Sequence, residues 1–148
     1  MDFELKKINA RSTIAVRHQV LRIGKPVESC SFDGDLLPST LHLGIFMDSQ
    51  IIAVLSVFEK KTVLFTENIQ YQIRGMAVLQ QYQNQKLGQH LIQFAETELV
   101  SIHCDLIWFN ARISAIGFYE KLGYKQIGNV FTIDSVGEHV LMFKKLCY

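Results

Sequence analysis

Residues 74–88, RGMAVLQQYQNQKLG, combine a strand pattern with a polar turn and lead into an amphipathic helix over residues 85–100. The apolar positions of this helix recur every four residues, at Leu87, Leu91, Ala95 and Leu99. The first helical turn has no acidic residue and contains Lys86 and Gly88. N–H groups at a helix start lack partners and carry the positive end of the helix dipole. The segment therefore predicts an anion site, which we interpret as a site for nucleotide phosphate.

Apolar periodicity along the rest of the chain predicts seven strands and three helices. Strands are expected at residues 3–8, 41–47, 50–58, 70–79, 105–109, 124–131 and 138–147, and helices at residues 12–22, 85–100 and 110–122. This order predicts a mixed α/β fold: one domain with helices on both faces of a central twisted sheet.

Turn and cap residues refine these boundaries. Asp48 and Ser49 predict a tight hairpin turn, and Gly123 predicts a left-handed helix stop. Ser12 and Asn110 are expected to cap the helices that follow them. Residues 27–40 lack periodicity and predict a long connection, whereas residues 62–69 either prolong the hairpin or close a small loop.

Size and composition exclude several classes of protein. A chain of 148 residues with 49% hydrophobic and 20% charged residues is expected to form one globular domain, and its net charge of +1 favours neither nucleic acid nor an anionic membrane as partner. There is no apolar run of roughly 18 residues and no secretory signal pattern, so a cytoplasmic location is expected. Cys30, Cys104 and Cys147 are far apart and predict reduced thiols, with no disulfide and no metal site.

Two motifs in this order resemble those of the GNAT acetyltransferase superfamily. The first is the strand RGMAV followed by a loop, Gln83 to Gly88, that is similar to the family pattern Gln/Arg-x-x-Gly-x-Gly/Ala. The second, NARISAIGFYEKLGY, is similar to an Asn followed by a helix ending FYEKLGF. One residue departs from the pattern, because Lys86 replaces the first glycine. Either Lys86 keeps helical geometry with its side chain outward, or the loop binds its phosphates more loosely.

The resemblance implies the GNAT fold, acetyl-CoA as co-substrate and direct acetyl transfer to a primary amine. It implies that the strand backbone binds the thioester and pantetheine, through Met76, Ala77 and Val78. It implies that loop N–H groups bind the pyrophosphate, through Gln83, Asn84, Gln85, Lys86, Leu87 and Gly88. By the same resemblance Asn110 is a cofactor neighbour, and the Tyr119 hydroxyl protonates the departing sulfur. The strand residues are equally compatible with a plain core strand, and Tyr119 with a packing aromatic.

The residues that would bind and activate the acceptor are less evident from the sequence. His139 alternates with Leu141 and Phe143 on the last strand and is a candidate general base, although a hydrogen-bonded core histidine fits the same pattern. His42 has a weaker case of the same kind. The acidic residues of the long connection either attract a cationic acceptor or are solvated turn residues, at Glu28, Asp33 and Asp35.

Direct acetyl transfer has three alternatives: a covalent route, a noncatalytic acyl-CoA-binding module and a generic α/β interaction domain. A covalent route through Cys104 is disfavoured, because no adjacent base is evident. The main alternative to catalysis is a noncatalytic acyl-CoA sensor or regulatory module. The sequence identifies the acceptor no further than a small-molecule or peptide amine, and a homodimer stays open.

Overall fold

The computed structural model describes residues 2–146. Its strands are β1 Glu4–Ile8, β2 Leu41–Met47, β3 Gln50–Glu59, β4 Gln70–Val78, β5 Leu106–Arg112, β6 Lys125–Ile133 and β7 Gly137–Lys145. Its α-helices are α1 Ile14–Val20, α2 Leu87–Ser101 and α3 Ile116–Lys121. Short 3-10 helices occupy Ala10–Thr13, Val27–Cys30, Gln80–Tyr82 and Ile113–Ala115. The predicted order of strands and α-helices is confirmed.

All of these strands join one mixed sheet in the order β1-β2-β3-β4-β5-β7-β6. The β2–β3 hairpin turns at Asp48 and Ser49, whose φ angles of 50° and 67° are both positive, as a two-residue type I′ turn requires. Residues 62–69 close a loop, which the side chain of Gln70 holds by accepting from the Thr62 N–H at 2.9 Å and donating to the Glu67 carbonyl at 3.0 Å. Across residues 2–146, no helix has the length and hydropathy that crossing a bilayer requires.

The buried stripe of α2 covers one face of the sheet. Its members are almost completely buried, as predicted: Leu87, Leu91, Ile92, Ala95 and Leu99. Full burial of a large aliphatic side chain contributes about 1.5 to 3 kcal/mol. This packing fixes the start of α2 against the sheet, and with it the loop that precedes the helix.

Strands β4 and β5 separate part-way along their length. They pair in parallel only where residues 70–72 of β4 face residues 106–108 of β5. Beyond this point β4 bulges away, with Gly75 at φ +68° and a register shift against β3 between Val54 and Ser56. Strand β5 instead stays paired with β7 as far as Arg112. The result is a V-shaped opening in the middle of the sheet.

Continued pairing of β5 explains why one predicted helix cap is wrong. Asn110 pairs with Leu141 of β7, so the chain stays extended there, and the next helical turn begins only after Arg112. Ser12 is not a cap either. Asn9 is the cap, and its side-chain Oδ1 accepts from the Ser12 N–H at 2.9 Å.

The two faces of the sheet carry different helices. On the α1 face, Arg17 of α1 donates to the Ser56 hydroxyl, and Arg74 lies opposite Ser56 in the β3–β4 ladder. On the α2 face, Tyr124 donates to Glu96 of α2 at 2.7 Å. Helices therefore cover both faces, as the sequence predicted.

Side-chain alternation assigns the β5 residues to these faces. Phe109 packs on Tyr119 and Tyr124 of the α2 face, with ring centroids 4.4 and 5.1 Å apart. Successive strand residues point to opposite faces. The side chains of Asn110 and Arg112 therefore point to the α1 face, opposite to that of Phe109.

Candidate functional site

The V-shaped opening between β4 and β5 forms a cleft of about 410 Å³. Its walls bring together four of the residues that the sequence singled out, Met76, Asn110, Tyr119 and His139. Tyr119 reaches the cleft from the α2 face, and His139, which pairs with Arg112, reaches it from the α1 face. Two chemically distinct groups therefore approach one opening from opposite sides.

The loop before α2 has the geometry of an anion cradle. The first hydrogen bond of α2 runs from the His90 N–H to the Lys86 carbonyl at 3.1 Å, so the N–H groups of residues 87–89 have no acceptor within the helix. The first turn has no acidic residue, and the loop residues 83–86 are exposed. An anion could therefore bind these N–H groups without displacing a protein partner.

Lys86 adopts the left-handed conformation that glycine favours, with φ 64° and ψ 19°, and Asn84 also has φ 64°. Of the two alternatives that the sequence left open, ordinary helical geometry at Lys86 is therefore wrong. A left-handed residue other than glycine costs about 1 to 2 kcal/mol. Backbone turns that alternate between left- and right-handed residues collect N–H groups into a concave anion site. Lys86 thus adopts a backbone conformation that glycine favours and adds a cation.

The edge of β4 leads from the cleft toward this loop. The Leu79 N–H donates to the Ile52 carbonyl at 2.9 Å, and Val54 lies opposite Ala77. Because hydrogen-bonded positions alternate in an antiparallel ladder, Ala77 faces β3 and Val78 faces away from it. The Val78 carbonyl accepts from Gln83 Nε2 at 3.0 Å. The backbone of Val78 therefore lies on the open side, whereas the backbone of Ala77 is turned to β3.

Met76 and Gly88 connect the strand edge to the helix start. A Cβ atom added at Gly88 would lie 3.6 Å from Met76 Sδ and 3.7 Å from Phe118 Cζ. The first turn of α2 is therefore within van der Waals reach of the strand and of α3. A chain-like ligand could run from the loop to the cleft along this edge.

Tyr119 is a partly buried phenol inside an aromatic cluster. Its ring lies 4.4 Å from the Phe109 ring and 5.0 Å from the Phe118 ring. Burial raises the pKa of Tyr119 to about 12, so the hydroxyl is protonated at neutral pH. No other described residue forms a hydrogen bond with this hydroxyl, which leaves it able to donate to a ligand in the cleft.

His139 is hydrogen-bonded and also lines the cleft. Both interpretations from the sequence, a general base and a hydrogen-bonded core histidine, are therefore compatible with its position. It is 4% exposed, and its Nδ1 lies 2.8 Å from the Gly137 carbonyl. A carbonyl accepts only, so Nδ1 carries the proton and Nε2 keeps a lone pair. The ring stacks on Phe131 at 6.1 Å, which fixes its orientation.

Asp35 and His42 belong to a buried polar cluster outside the cleft, which corrects their expected roles. Arg17 is fully buried and donates to both carboxylate oxygens of Asp35, at 2.7 and 3.1 Å. The two ring nitrogens of His42 are held by the Ser56 hydroxyl at 2.6 Å and the Asp35 carbonyl at 2.9 Å. Asp35 is therefore not a solvated turn residue, and neither side chain is free to bind an acceptor. Glu28 and Asp33, in contrast, are exposed.

The pKa values of Asp35 and Cys104 move in opposite directions. Burial raises the pKa of Asp35, but hydrogen bonds from Arg17 and the Phe32 N–H, with the charge of Arg17, outweigh it and lower the pKa overall. Burial raises the pKa of Cys104 to about 11, so its thiolate is scarce at neutral pH. Cys30 and Cys104 are free buried thiols, and Cys147 lies outside the described residues.

The sequence analysis missed a group of cleft residues on the α1 face. They are Arg22, Phe32, Gln72, Arg74 and Arg112. The available signal was the polar alternation of Gln70, Gln72 and Arg74, which places polar side chains on one face of a predicted strand.

Comparison with known proteins agrees with this geometry. The acetyltransferase (GNAT) family model matches residues 17–124. The uncharacterized N-acetyltransferase YitI of Bacillus subtilis (strain 168) is 38% identical over 143 residues, which cover 97% of this chain and 96% of that protein. These two matches rest on sequence and span most of the chain.

Solved structures show the same fold at low identity. An acyl-CoA N-acyltransferase from Pseudomonas aeruginosa is similar with a TM-score of 0.77 and 18% identity, covering 97% of this chain and 99% of that one. An aminoglycoside 6′-N-acetyltransferase complexed with coenzyme A is similar with a TM-score of 0.70 and 14% identity, covering 96% of each chain. The chain therefore belongs to the acetyltransferase (GNAT) family and is an acyltransferase enzyme, acetyl-CoA-dependent acetylation being the general function of that family.

Proposed function

We propose that this enzyme, acting as a single catalytic domain, transfers the acetyl group of acetyl-CoA to a primary amine by direct attack. The observation that carries the proposal is a cleft that both Tyr119 and His139 line, from which the open edge of β4 leads toward the anion cradle at the start of α2. The anion cradle includes the unpaired N–H groups of residues 87–89 at the start of α2. Tyr119 and His139 enter the cleft from opposite faces of the sheet.

The acyl donor would bind along the α2 side of the opening. The N–H groups of the loop from Asn84 to Gly88 bind the pyrophosphate, and Lys86 adds a positive charge, whereas the Gln83 N–H is held by the Gln80 carbonyl at 3.3 Å. Pantetheine runs along the open edge of β4 and bonds the backbone at Val78, which puts the thioester beside Met76. Ala77 contributes through packing, because its backbone faces β3. Asn110 lines the cleft from β5 with its side chain on the α1 face, so it would neighbour the acceptor rather than the donor, and it is not a helix cap.

The acceptor amine attacks the thioester carbonyl from the α1 side. His139 Nε2 would accept the amine proton, a role that the contact between Nδ1 and the Gly137 carbonyl supports. The nitrogen forms a bond to the carbonyl carbon, and the tetrahedral intermediate then collapses with cleavage of the carbon–sulfur bond. The Tyr119 hydroxyl donates a hydrogen bond to the departing sulfur, and the proton that the amine gave to His139 returns through solvent to the thiolate. The products are the N-acetyl amine and coenzyme A.

The direct test is to incubate the purified protein with acetyl-CoA and a panel of primary amines while following free thiol. Thiol release that depends on both substrates, with the acetylated amine found by mass spectrometry, is the expected result. Saturable binding of acetyl-CoA without any acceptor-dependent thiol release would overturn catalysis in favour of a sensor. Replacing acetyl-CoA with longer acyl-CoA thioesters tests the choice of acyl group.

A charge-reversal pair tests the cradle itself. Lys86→Glu places a negative charge at the start of α2 and should weaken coenzyme A binding about 10-fold or more, as measured by calorimetry. Lys61→Glu, in an exposed loop away from the cleft, is the matched control and should leave binding unchanged. Equal affinities of the two variants would exclude the loop as the phosphate site.

A further inference from the structure

The α1 side of the cleft carries an excess of positive charge. Arg22, Arg74 and Arg112 line it, whereas no aspartate or glutamate among the described residues does. The net charge of the whole chain is only +1, so this concentration is local. A cationic acceptor entering from this side would meet repulsion.

Two of these arginines, Arg22 and Arg74, contact the aromatic ring of Phe32. The guanidinium carbons of Arg74 and Arg22 lie 4.8 and 5.6 Å from the centroid of the Phe32 ring, and that of the fully buried Arg17 lies 3.9 Å from it. Asp35 neutralises Arg17 alone. Among residues 2–146, neither Arg22 nor Arg74 forms a salt bridge. Phe32 therefore holds two unneutralised cations at the cleft wall.

The pKa of Arg74 is lowered, which agrees with the excess of positive charge around it. Burial lowers it, and repulsion from Arg17 and Arg22 lowers it further, against the weaker opposing attraction of Asp35 and Asp33. Asp33 is exposed and does not line the cleft. A bound anion would relieve this repulsion without breaking a salt bridge of the described residues.

Gln72 supplies an independent sign of a ligand on the same face. It is 7% exposed and lines the cleft, and its Oε1 is buried without a hydrogen-bond partner among the described residues. Gln72 and Arg74 are two residues apart on β4, so their side chains share the α1 face. Buried acceptors normally have a donor, so this oxygen points to a ligand N–H group.

We propose that the acceptor is a primary amine that also bears an anionic group, a carboxylate or a phosphate. The anionic group lies between Arg22 and Arg74, and an N–H group of the acceptor donates to Gln72 Oε1. This inference rests on the proposed acetyl transfer for its chemistry, but it concerns binding and can be tested separately. It makes polyamines and aminoglycosides poor acceptors for this enzyme.

The experiment compares matched amines with and without the anionic group. The probes are the common amino acids against their C-terminal amides, and O-phosphoethanolamine against ethanolamine. Calorimetry on protein saturated with coenzyme A measures binding, and thiol release from acetyl-CoA measures turnover. At least one acidic member should bind about 10-fold or more tighter than its neutral partner. The amino acid and phosphate arms identify which anion the site prefers.

Arginine variants locate the effect. Arg22→Gln and Arg74→Gln should each raise the KM for the acidic amine about 10- to 100-fold and leave the Kd for acetyl-CoA unchanged. Arg22→Lys should restore part of the affinity. Arg11→Gln is the control, since Arg11 is exposed and does not line this cleft.

Three results would overturn the proposal: no preference for the acidic member of any pair, a preference for spermidine or an aminoglycoside, or unchanged KM in both glutamine variants. Failure of acetyl transfer itself would look different. Acidic amines would then still bind the wild-type protein and lose affinity in Arg22→Gln, while no thiol was released.

Discussion

Replacing Tyr119 with phenylalanine isolates the contribution of one hydroxyl to catalysis. The ring would keep its packing on Phe109 at 4.4 Å and on Phe118 at 5.0 Å. No described residue loses a hydrogen bond, since the hydroxyl has no protein partner. The substitution should therefore leave folding and acetyl-CoA affinity unchanged while removing the donor to the departing sulfur.

The size of the effect follows from the pKa of the Tyr119 hydroxyl. Burial raises the pKa of Tyr119 to about 12, whereas a thiol has a pKa of about 8.5. Complete proton transfer from the phenol to the free thiolate would thus be uphill by about 5 kcal/mol. Tyr119 should act mainly through a hydrogen bond to the developing thiolate, which contributes about 1.5 to 3 kcal/mol. The expected loss in kcat is therefore about 10- to 150-fold, at the low end for a general acid.

The assay is steady-state kinetics from pH 6 to pH 10, with acetyl-CoA affinity measured by calorimetry. A phenol with a pKa of about 12 stays protonated over this range, so the wild type and Tyr119→Phe should show pH profiles of the same shape. Tyr124→Phe is the matched control, because its hydroxyl bonds Glu96 at 2.7 Å and does not line the cleft. It should lower stability by about 1 to 3 kcal/mol and leave kcat unchanged. An unchanged kcat in Tyr119→Phe, or a wild-type alkaline limb that disappears in that variant, would refute the reasoning.

Three other substitutions test the acceptor side and its support. Asp35→Asn removes the partner of a buried arginine and should lower the free energy of unfolding by about 3 to 5 kcal/mol in urea, whereas exposed Asp33→Asn should change it by less than about 0.5 kcal/mol. The pKa of Asp35 is lower in the folded than in the unfolded protein, so this stabilisation is complete above the unfolded pKa and is lost as the pH falls through the folded pKa. The wild type should therefore lose more stability than Asp35→Asn between pH 5 and pH 3. Gly75→Ala should lower the melting temperature and weaken acceptor binding in calorimetry, because Gly75 has φ +68° and a Cβ would lie 2.8 Å from the Phe32 ring. His139→Gln should lower kcat/KM about 100- to 10,000-fold without changing the Kd for acetyl-CoA, and an unchanged kcat/KM would remove its role as base.

Periodicity predicted the order of the elements because each signal is local. The four-residue repeat of Leu87, Leu91 and their successors defines α2, and the turn residues Asp48 and Ser49 define the β2–β3 hairpin. The resemblance to the family then brought Met76 and Tyr119 to one cleft, where the structure also places them.

Features that depend on strand pairing were not predictable in the same way. Asn110 has the residue type of a helix cap, but its pairing with Leu141 keeps it in β5. Asp35 looks like a turn residue until the chain brings Arg17 to it from 18 positions away. Lys86 has a side chain that disfavours positive φ, yet the loop that precedes α2 holds it at a φ of 64°. In each case a tertiary contact or a loop closure outweighed the local preference.

The bulge at Gly75 connects the two halves of the proposed chemistry. By turning β4 away from β5, it exposes the strand edge beside Met76 to the α2 side, where the helix start offers N–H groups to an anion. The same turn brings Gly75 against Phe32, the ring that positions Arg22 and Arg74 on the α1 side. Phosphates of the donor and an anionic group of the acceptor would therefore be held by separate positive sites across the sheet. Two separate positive sites would let two negatively charged substrates bind at one thioester, because each negative charge would be neutralised before the amine approaches the carbonyl.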